Sequence, residues 1–385
     1  MRNPLSDTVI KMKPSGIRKF FDVVSEMPDA ISLGVGEPDF DTPWAVREEG
    51  IYSLERGKTF YTSNAGLMEL RTEICRYMER RFHMTYDPKR ETLITVGGSE
   101  GIDACFRAML NAGDEVIIPE PCYVSDVPCV ELAGGVPVTI SLKNENEFRL
   151  TKEELEAAIT DKTKLLVLSF PNNPTGAIME KKDLEAIADV VIKNDLYVVS
   201  DEIYAELTYS GNHVSIASLP GMRDRTVVIS GFSKAFAMTG WRLGYALGPS
   251  MIIEQMTKIH QFAIMCAPTT SQYAAVAAMK DCDRDVEQMR ESYDQRRKYL
   301  LNEFKEMGLP CFEPKGAFYM FPCISKFGMS SEEFATRLLK SKKLAVVPGD
   351  AFGACGEGFL RISYAYSLDE LKEAIGRIKE FIEEL

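Results

Sequence analysis

One lysine stands among small, aromatic and apolar neighbours in ISGFSKAFAMTGWRLGY, residues 229–245. Lys234 follows a run that reads as a buried strand, where an ammonium group is unusual. Taken alone it is equally a lysine at a loop mouth, its stem packed and its head in water. Other groups with chemistry also follow apolar runs. After TLITV comes GGSEG, with Gly98 and Ser99 at a helix start, where free N–H groups and the helix dipole favour an anion. By itself that motif is also a plain turn with a serine cap. After LLVLSF comes PNNPTG with Asn173, after LYVVS come Asp201 and Tyr204, and Arg242 lies eight positions beyond Lys234. In open α/β sheets ligands bind beyond the carboxyl ends of the strands. Each of these residues could be a cap or a surface charge, but together they describe one edge. A nucleophilic lysine, an acid to keep a pyridine nitrogen protonated and a cradle for one phosphate form the set that pyridoxal phosphate requires. A lysine partly desolvated near other cations loses its proton more readily, which suits it to act as nucleophile and base. No G-x-G-x-x-G fingerprint or phosphate-loop lysine is present.

The elements that must position these groups alternate in type. TLITV, DEVIIP, VPVTI, TKLLVLSF, LYVVSD, TVVIS and LGYALG read as strands, with helices predicted over 99–110 and 184–193. This order predicts an α/β fold with a mostly parallel seven-stranded sheet covered by helices on both faces. Past residue 251 the pattern becomes helical, with a long amphipathic segment over 285–307, before GAFYMFP and GFLRISYA return to strand-like sequence. At 385 residues the chain exceeds what one core supports. The predicted division is an N-terminal arm, 1–40, belonging partly to a smaller α+β domain; a large cofactor-binding domain, 41–284; and the small C-terminal domain, 285–385.

Composition narrows the function. Hydrophobic residues make up 45% and charged residues 26%, as in ordinary globular proteins. A net charge of −12 argues against nucleic acid. No run approaches the roughly 18 apolar residues of a membrane span, and the first thirty residues lack the pattern of a signal peptide. The expected location is the cytoplasm. Nine cysteines form no C-x-x-C pair, and three dispersed histidines suggest no metal site.

The whole set resembles the class I pyridoxal-phosphate aminotransferases of the aspartate aminotransferase fold. GFSKAFAMTGWRLG is similar to the lysine signature of that family, and GVGEPDF, NNPTG, SDEIY and LRISYA stand in its order. The resemblance implies that Lys234 binds the cofactor covalently and that Asp201 pairs with its ring nitrogen. Asn173 and Tyr204 would bond the phenolic oxygen, and Tyr123 would stack on the ring. Gly98, Ser99, Ser233 and Arg242 would hold the phosphate. Tyr61 would reach the phosphate of a second subunit across a homodimer interface. Arg361 would clamp the substrate carboxylate with the Gly36 backbone, and Tyr319 would help shape the substrate pocket. The resemblance also implies cis bonds at Glu120–Pro121 and Asn173–Pro174.

The implied activity is transfer of the amino group of an L-amino acid, aromatic or aspartate-like, to a 2-oxo acid such as 2-oxoglutarate, by ping-pong kinetics. The resemblance is nearest to microbial aromatic and aspartate aminotransferases. Acetyl-diaminopimelate aminotransferase and carbon–sulfur β-lyase are alternatives on the same groups. The effector domain of a transcription regulator is a non-enzymatic one, disfavoured because GVGEPDF begins by residue 34 and the chain is acidic. Glu100 beside the anion loop and Asp126 in EPCYVSD depart from the pattern, and Glu100 is expected to point away from the anion.

Overall fold

The computed structural model describes residues 2–12, 14, 27 and 29–385, so residues 15–26 of the predicted N-terminal arm lie outside the described residues. Strand β1 (Ile31–Ser32) precedes the main sheet. Seven strands form that sheet: β2 (Thr92–Thr95), β3 (Glu115–Glu120), β4 (Val136–Ser141), β5 (Thr163–Ser169), β6 (Tyr197–Asp201), β7 (Thr226–Gly231) and β8 (Gly244–Leu247), in the order β2-β8-β7-β6-β5-β3-β4. β8 runs antiparallel to both its neighbours, whereas the remaining pairs are parallel. β2 therefore points the same way as β7, and the carboxyl ends of β2, β3, β5, β6 and β7 share one edge.

Near-continuous apolar strands are what a sheet covered on both faces requires. Leu165 and Val167 belong to one core with Ile102, Phe106 and Met256, while Leu166 and Leu168 face Leu184, Ile187 and Val191 on the other side. The helix behind the second face runs Lys181–Lys193, three residues longer than predicted. It opens with a capping box between Glu180 and Asp183, and glutamate is not a residue that flags a cap in sequence. The helix after β2 runs Gly97–Met109, two residues earlier than predicted, because the glycine pair that reads as a turn already forms the first turn.

The C-terminal part builds its own core from Phe304, Phe318, Phe334, Leu338, Ile362, Ile375 and Phe381. Its long helix is Asp283–Glu306. Strands β9 (Tyr319–Met320), β10 (Leu344–Ala345), β11 (Val347–Pro348) and β12 (Leu360–Ser363) complete it. β12 lies between β9 and β11, antiparallel to both, and β1 pairs in parallel with β10. The start of the described chain is thus tied to its end. Asp39 binds Arg296 at 2.7 Å, and Phe40 packs edge-on against Tyr293, fastening the segment after β1 to the long helix. Among the described residues no helix is long and apolar enough to cross a membrane.

The anion loop fits the sheet only because of a glycine. A Cβ on Gly244 would lie 2.6 Å from the Gly97 carbonyl carbon and 2.7 Å from the Gly98 nitrogen. Gly244→Ala should therefore destabilise the protein by about 1–3 kcal/mol or more, as overpacking against backbone does. Gly376→Ala, on an open helix face with nothing within 4 Å, should stabilise it by about 0.5–1 kcal/mol. Urea denaturation of the apoprotein reads both, and equal midpoints for the two variants would contradict this packing.

Candidate active site

A cavity of about 470 Å³ opens at the shared strand edge, within the size range of small-molecule sites. Twelve of the thirteen residues singled out in the sequence line it: Gly36, Gly98, Ser99, Tyr123, Asn173, Asp201, Tyr204, Ser233, Lys234, Arg242, Tyr319 and Arg361. Tyr61 does not; it is 81% exposed on the surface.

Strand ends aim most of these groups. Ser233 and Lys234 follow β7, Asp201 closes β6, and Asn173 follows β5 through a loop knotted by its neighbour. Asn172 accepts the Thr175 N–H at 3.1 Å and the Thr175 hydroxyl at 2.7 Å, and its own amide donates to the Pro121 carbonyl at 3.2 Å. This joins the NNPTG loop to the loop of Tyr123. Both expected cis bonds are present, Glu120–Pro121 and Asn173–Pro174, with a third at Phe170–Pro171.

Lys234 Nζ donates to the Gly36 carbonyl at 2.5 Å. Burial lowers its pKa from the ordinary 10.5 to about 8; Glu37 opposes this, and the charges of Arg361 and Arg242 add to it. Asp201 moves the other way, to about 6, chiefly through burial, with Glu202 adding to the rise and the Ile203 N–H and Lys234 opposing it. That N–H, at 3.1 Å, is the one hydrogen bond its carboxylate accepts among the described residues, so acceptor capacity remains toward the cavity.

Arg361 rises from β12 and is 3% exposed. Its guanidinium lies 4.7 Å from the ring centroids of both Tyr319 and Phe352. It donates to Asn173 Oδ1 at 3.0 Å and to the Gly34 carbonyl, and its Nε is buried without a partner. Burial lowers its pKa, and no carboxylate offsets that. Tyr319 hydrogen-bonds Tyr204, hydroxyl to hydroxyl, at 2.6 Å. The strand-end segment approaches Tyr319 so closely that a Cβ on Gly36 would lie 2.1 Å from its hydroxyl.

At the anion loop, Ser99 Oγ lies 3.3 Å from the Tyr123 hydroxyl. Arg242 sits in the left-handed region at φ 50° and donates to the Thr239 carbonyl at 3.0 Å. Glu100 points away, as expected, to Val96 N–H and His260. Asp126 is 1% exposed, with Oδ2 3.3 Å from Ser169 Oγ and Oδ1 unpartnered. Burial, and then the Asp201 charge, push its pKa well above the ordinary 3.8.

Three lining residues with polar side chains were missed in the sequence. Glu37, which accepts the Thr239 hydroxyl, stands inside the GVGEPDF motif beside Gly36. Ser169 is the last residue of β5, in register with Asp201, a position that the rule of strand carboxyl ends would have flagged. Thr239 lies in the turn between Lys234 and Arg242 and had no signal of its own.

The depressed lysine has a measurable consequence in the apoprotein. Below pH 8 the folded and unfolded chains both carry the Lys234 proton, and the full burial cost is present. Between about 8 and 10.5 only the unfolded chain binds it, so stability rises with pH. Relative to Lys234→Met, the parent should gain ~2–3 kcal/mol from pH 7 to pH 10 by urea denaturation. Parallel curves would show that the ammonium is not desolvated.

Comparison with known proteins places this geometry in a family. Residues 28–378 match the family model of class I and II aminotransferases. The chain is 53% identical to the putative aminotransferase YugH of Bacillus subtilis over 382 residues, covering 99% of each. It is 47% identical to an aspartate aminotransferase of Pyrococcus abyssi over 383 residues, covering 99% of this chain and 98% of that one. The solved structure of an aromatic aminotransferase from Pyrococcus horikoshii superposes with a TM-score of 0.91 at 47% identity, over 95% of this chain and 99% of that one. With the family model matched over most of its length and relatives this similar over nearly all of it, the chain belongs to the class I and II aminotransferase family.

Proposed function

We propose that the protein is a homodimeric, cytoplasmic pyridoxal-phosphate enzyme that moves amino groups from aromatic L-amino acids to 2-oxoglutarate. The observation carrying this reading is Arg361, a buried cation with two donors satisfied by neutral acceptors and, among the described residues, no anion against it. A substrate α-carboxylate supplies the missing charge, and a planar fork suits it.

The donor set at the strand edge fits the cofactor. The loop at Gly98 has no side chain to block it, Ser99, Ser233 and Arg242 offer donors for a phosphate, and the buried Asp201 carboxylate has open acceptor capacity. Asn173 and Tyr204 would hold the phenolic oxygen, and Tyr123 would lie on the ring face. Bound there, pyridoxal phosphate supplies a carbonyl for the amino group and a ring that accepts the electron pair left when the Cα proton departs. The chain does the rest. Lys234, neutral more readily than an exposed lysine, would hold the cofactor through its amine and, when free, would serve as the base for the substrate Cα proton. Asp201 stabilises positive charge on the ring nitrogen. Arg361 orients two successive substrates by the same carboxylate contact.

The aromatic preference rests on the lining. Tyr319, Tyr123, Ile102 and Val35 offer apolar surface, while Arg361 and Arg242 are the two arginines among the lining residues, and both have tasks already. A distal carboxylate buried there would lack a partner. The dimer reading rests on exposed aromatic side chains, Tyr61 among them. Phe60 is 80%, Tyr61 81% and Phe262 86% exposed, apolar area that a second subunit would cover. The cytoplasmic reading is supported by nine unbridged cysteines. We also divide the chain into a large unit, 41–284, and a small one formed by 1–40 with 285–385, a division supported by the pairing of β1 with β10.

The test is a half-reaction screen. Loaded enzyme is mixed with each amino acid in turn, and conversion of the cofactor from aldehyde to amine form is followed by absorbance. Phenylalanine and tyrosine should convert it efficiently, and aspartate at least a hundredfold faster than either would overturn the aromatic reading. Asp201→Asn should retain cofactor yet slow proton removal by about a hundredfold or more, each tenfold being ~1.4 kcal/mol. A variant within fivefold of the parent would exclude Asp201 from that role.

A further inference from the structure

The anion loop contains a carboxylate that ought to repel its ligand. Glu100 sits on the first turn of the Gly97–Met109 helix, one residue past Ser99, where the free N–H groups lie. Its side chain is instead fully engaged. One carboxylate oxygen accepts the Val96 N–H, the residue that caps the helix, and the other lies 2.5 Å from His260 Nδ1. His260 belongs to the Ser250–Ala263 helix packed against it and is completely buried. Its other ring nitrogen, Nε2, is buried with no partner. A half-satisfied imidazole in a core is costly. Among the described residues, the hydrogen bond to Glu100 is the only side-chain bond this ring makes.

We propose that His260 is a positioning residue for the anion loop. By holding the Glu100 carboxylate on its Nδ1–H, it turns that negative charge toward the helix behind and lets it clamp the Val96 N–H. The turn into Gly97 is thereby fixed, and the N–H groups of Gly98 and Ser99 stay free for a phosphate. This rests on the reading of that loop given above. Without the imidazole, the carboxylate is free to swing over the same N–H groups and compete with the incoming anion.

The experiment uses full-length apoprotein, with pyridoxal phosphate and inorganic phosphate as separate probes. Inorganic phosphate reads the loop independently of Lys234. His260→Leu should weaken both affinities at least tenfold, with kcat at saturating cofactor and the KM for the amino donor within twofold of the parent. His260→Asn, whose amide can place an N–H where Nδ1–H was, should stay within threefold. Glu100→Gln, uncharged but still able to accept the Val96 N–H, should bind inorganic phosphate at least as tightly as the parent. If His260→Leu does not fold, Glu100→Lys gives a second test: it should weaken the cofactor despite its positive charge, because the clamp on Val96 is lost. A lowered melting temperature with both affinities within threefold would make the pair a core contact and overturn the proposal. Equal losses in His260→Asn and His260→Leu would do the same. If the parent binds neither probe, the loop reading falls and this proposal with it; if the parent binds both and the variants match it, only this proposal falls.

Discussion

Arg361 is charged, buried between two aromatic rings and, among the described residues, without a counter-ion, and much of the surrounding structure serves to keep it so. Removing a charge from water costs several kcal/mol even after relaxation. Here cation–π contact, two neutral acceptors and a well-packed C-terminal core offset that cost. β12 carries the arginine, β9 carries Tyr319 beside it, and the Gly34–Gly36 segment passes so near that Gly36 has no room for a side chain. The same segment accepts from Lys234 at Gly36 and from Arg361 at Gly34. One stretch of backbone thus sets the spacing between the two cations.

Lys234 and Asp201 show how burial distributes charge across the cavity. Desolvation disfavours both ionised forms, lowering the lysine to about 8 and raising the aspartate to about 6. Their mutual attraction opposes both shifts without cancelling either. Arg361 and Arg242 keep the lysine low, and Glu37 draws it back. Removal of Glu37 alone would push the lysine further from protonation, so its carboxylate belongs to the balance although it stands outside the strand-end set.

The sheet and its edge were legible because both follow from local pattern. Apolar runs of strand length alternate with amphipathic helices, and the candidate site residues stand within a few positions of the ends of the runs. Helix starts were less legible. Gly97 and Gly98 read as a turn, and Glu180 has no capping signature until Asp183 is seen to bond back to it. Contacts between distant segments were not legible at all. Nothing local links His260 to Glu100, 160 positions apart, or Thr239 to Glu37, 202 apart. Such pairs are decided by how helices and loops pack, which periodicity does not encode. Tyr61 was singled out by resemblance alone, and it stands apart from the strand-edge set, 81% exposed.

The two halves of the site meet at Asn173. It belongs to the sheet-edge loop, held through Asn172 to the Tyr123 loop, yet its side-chain oxygen accepts from Arg361 on the C-terminal strands. In the proposed reading, the ring-binding half and the carboxylate-binding half therefore share one hydrogen bond. A displacement of β12 that carries the guanidinium away from Asn173 breaks that bond, leaving a buried cation with one fewer partner. The cost of that loss is a restraint on how far the halves can separate. In that reading an arriving carboxylate would relax it, because the charge would then be satisfied by the substrate and not by Asn173 and Gly34 alone. In the proposed reading, carboxylate recognition and the relative placement of the two halves are in this way one equilibrium, set by the same guanidinium.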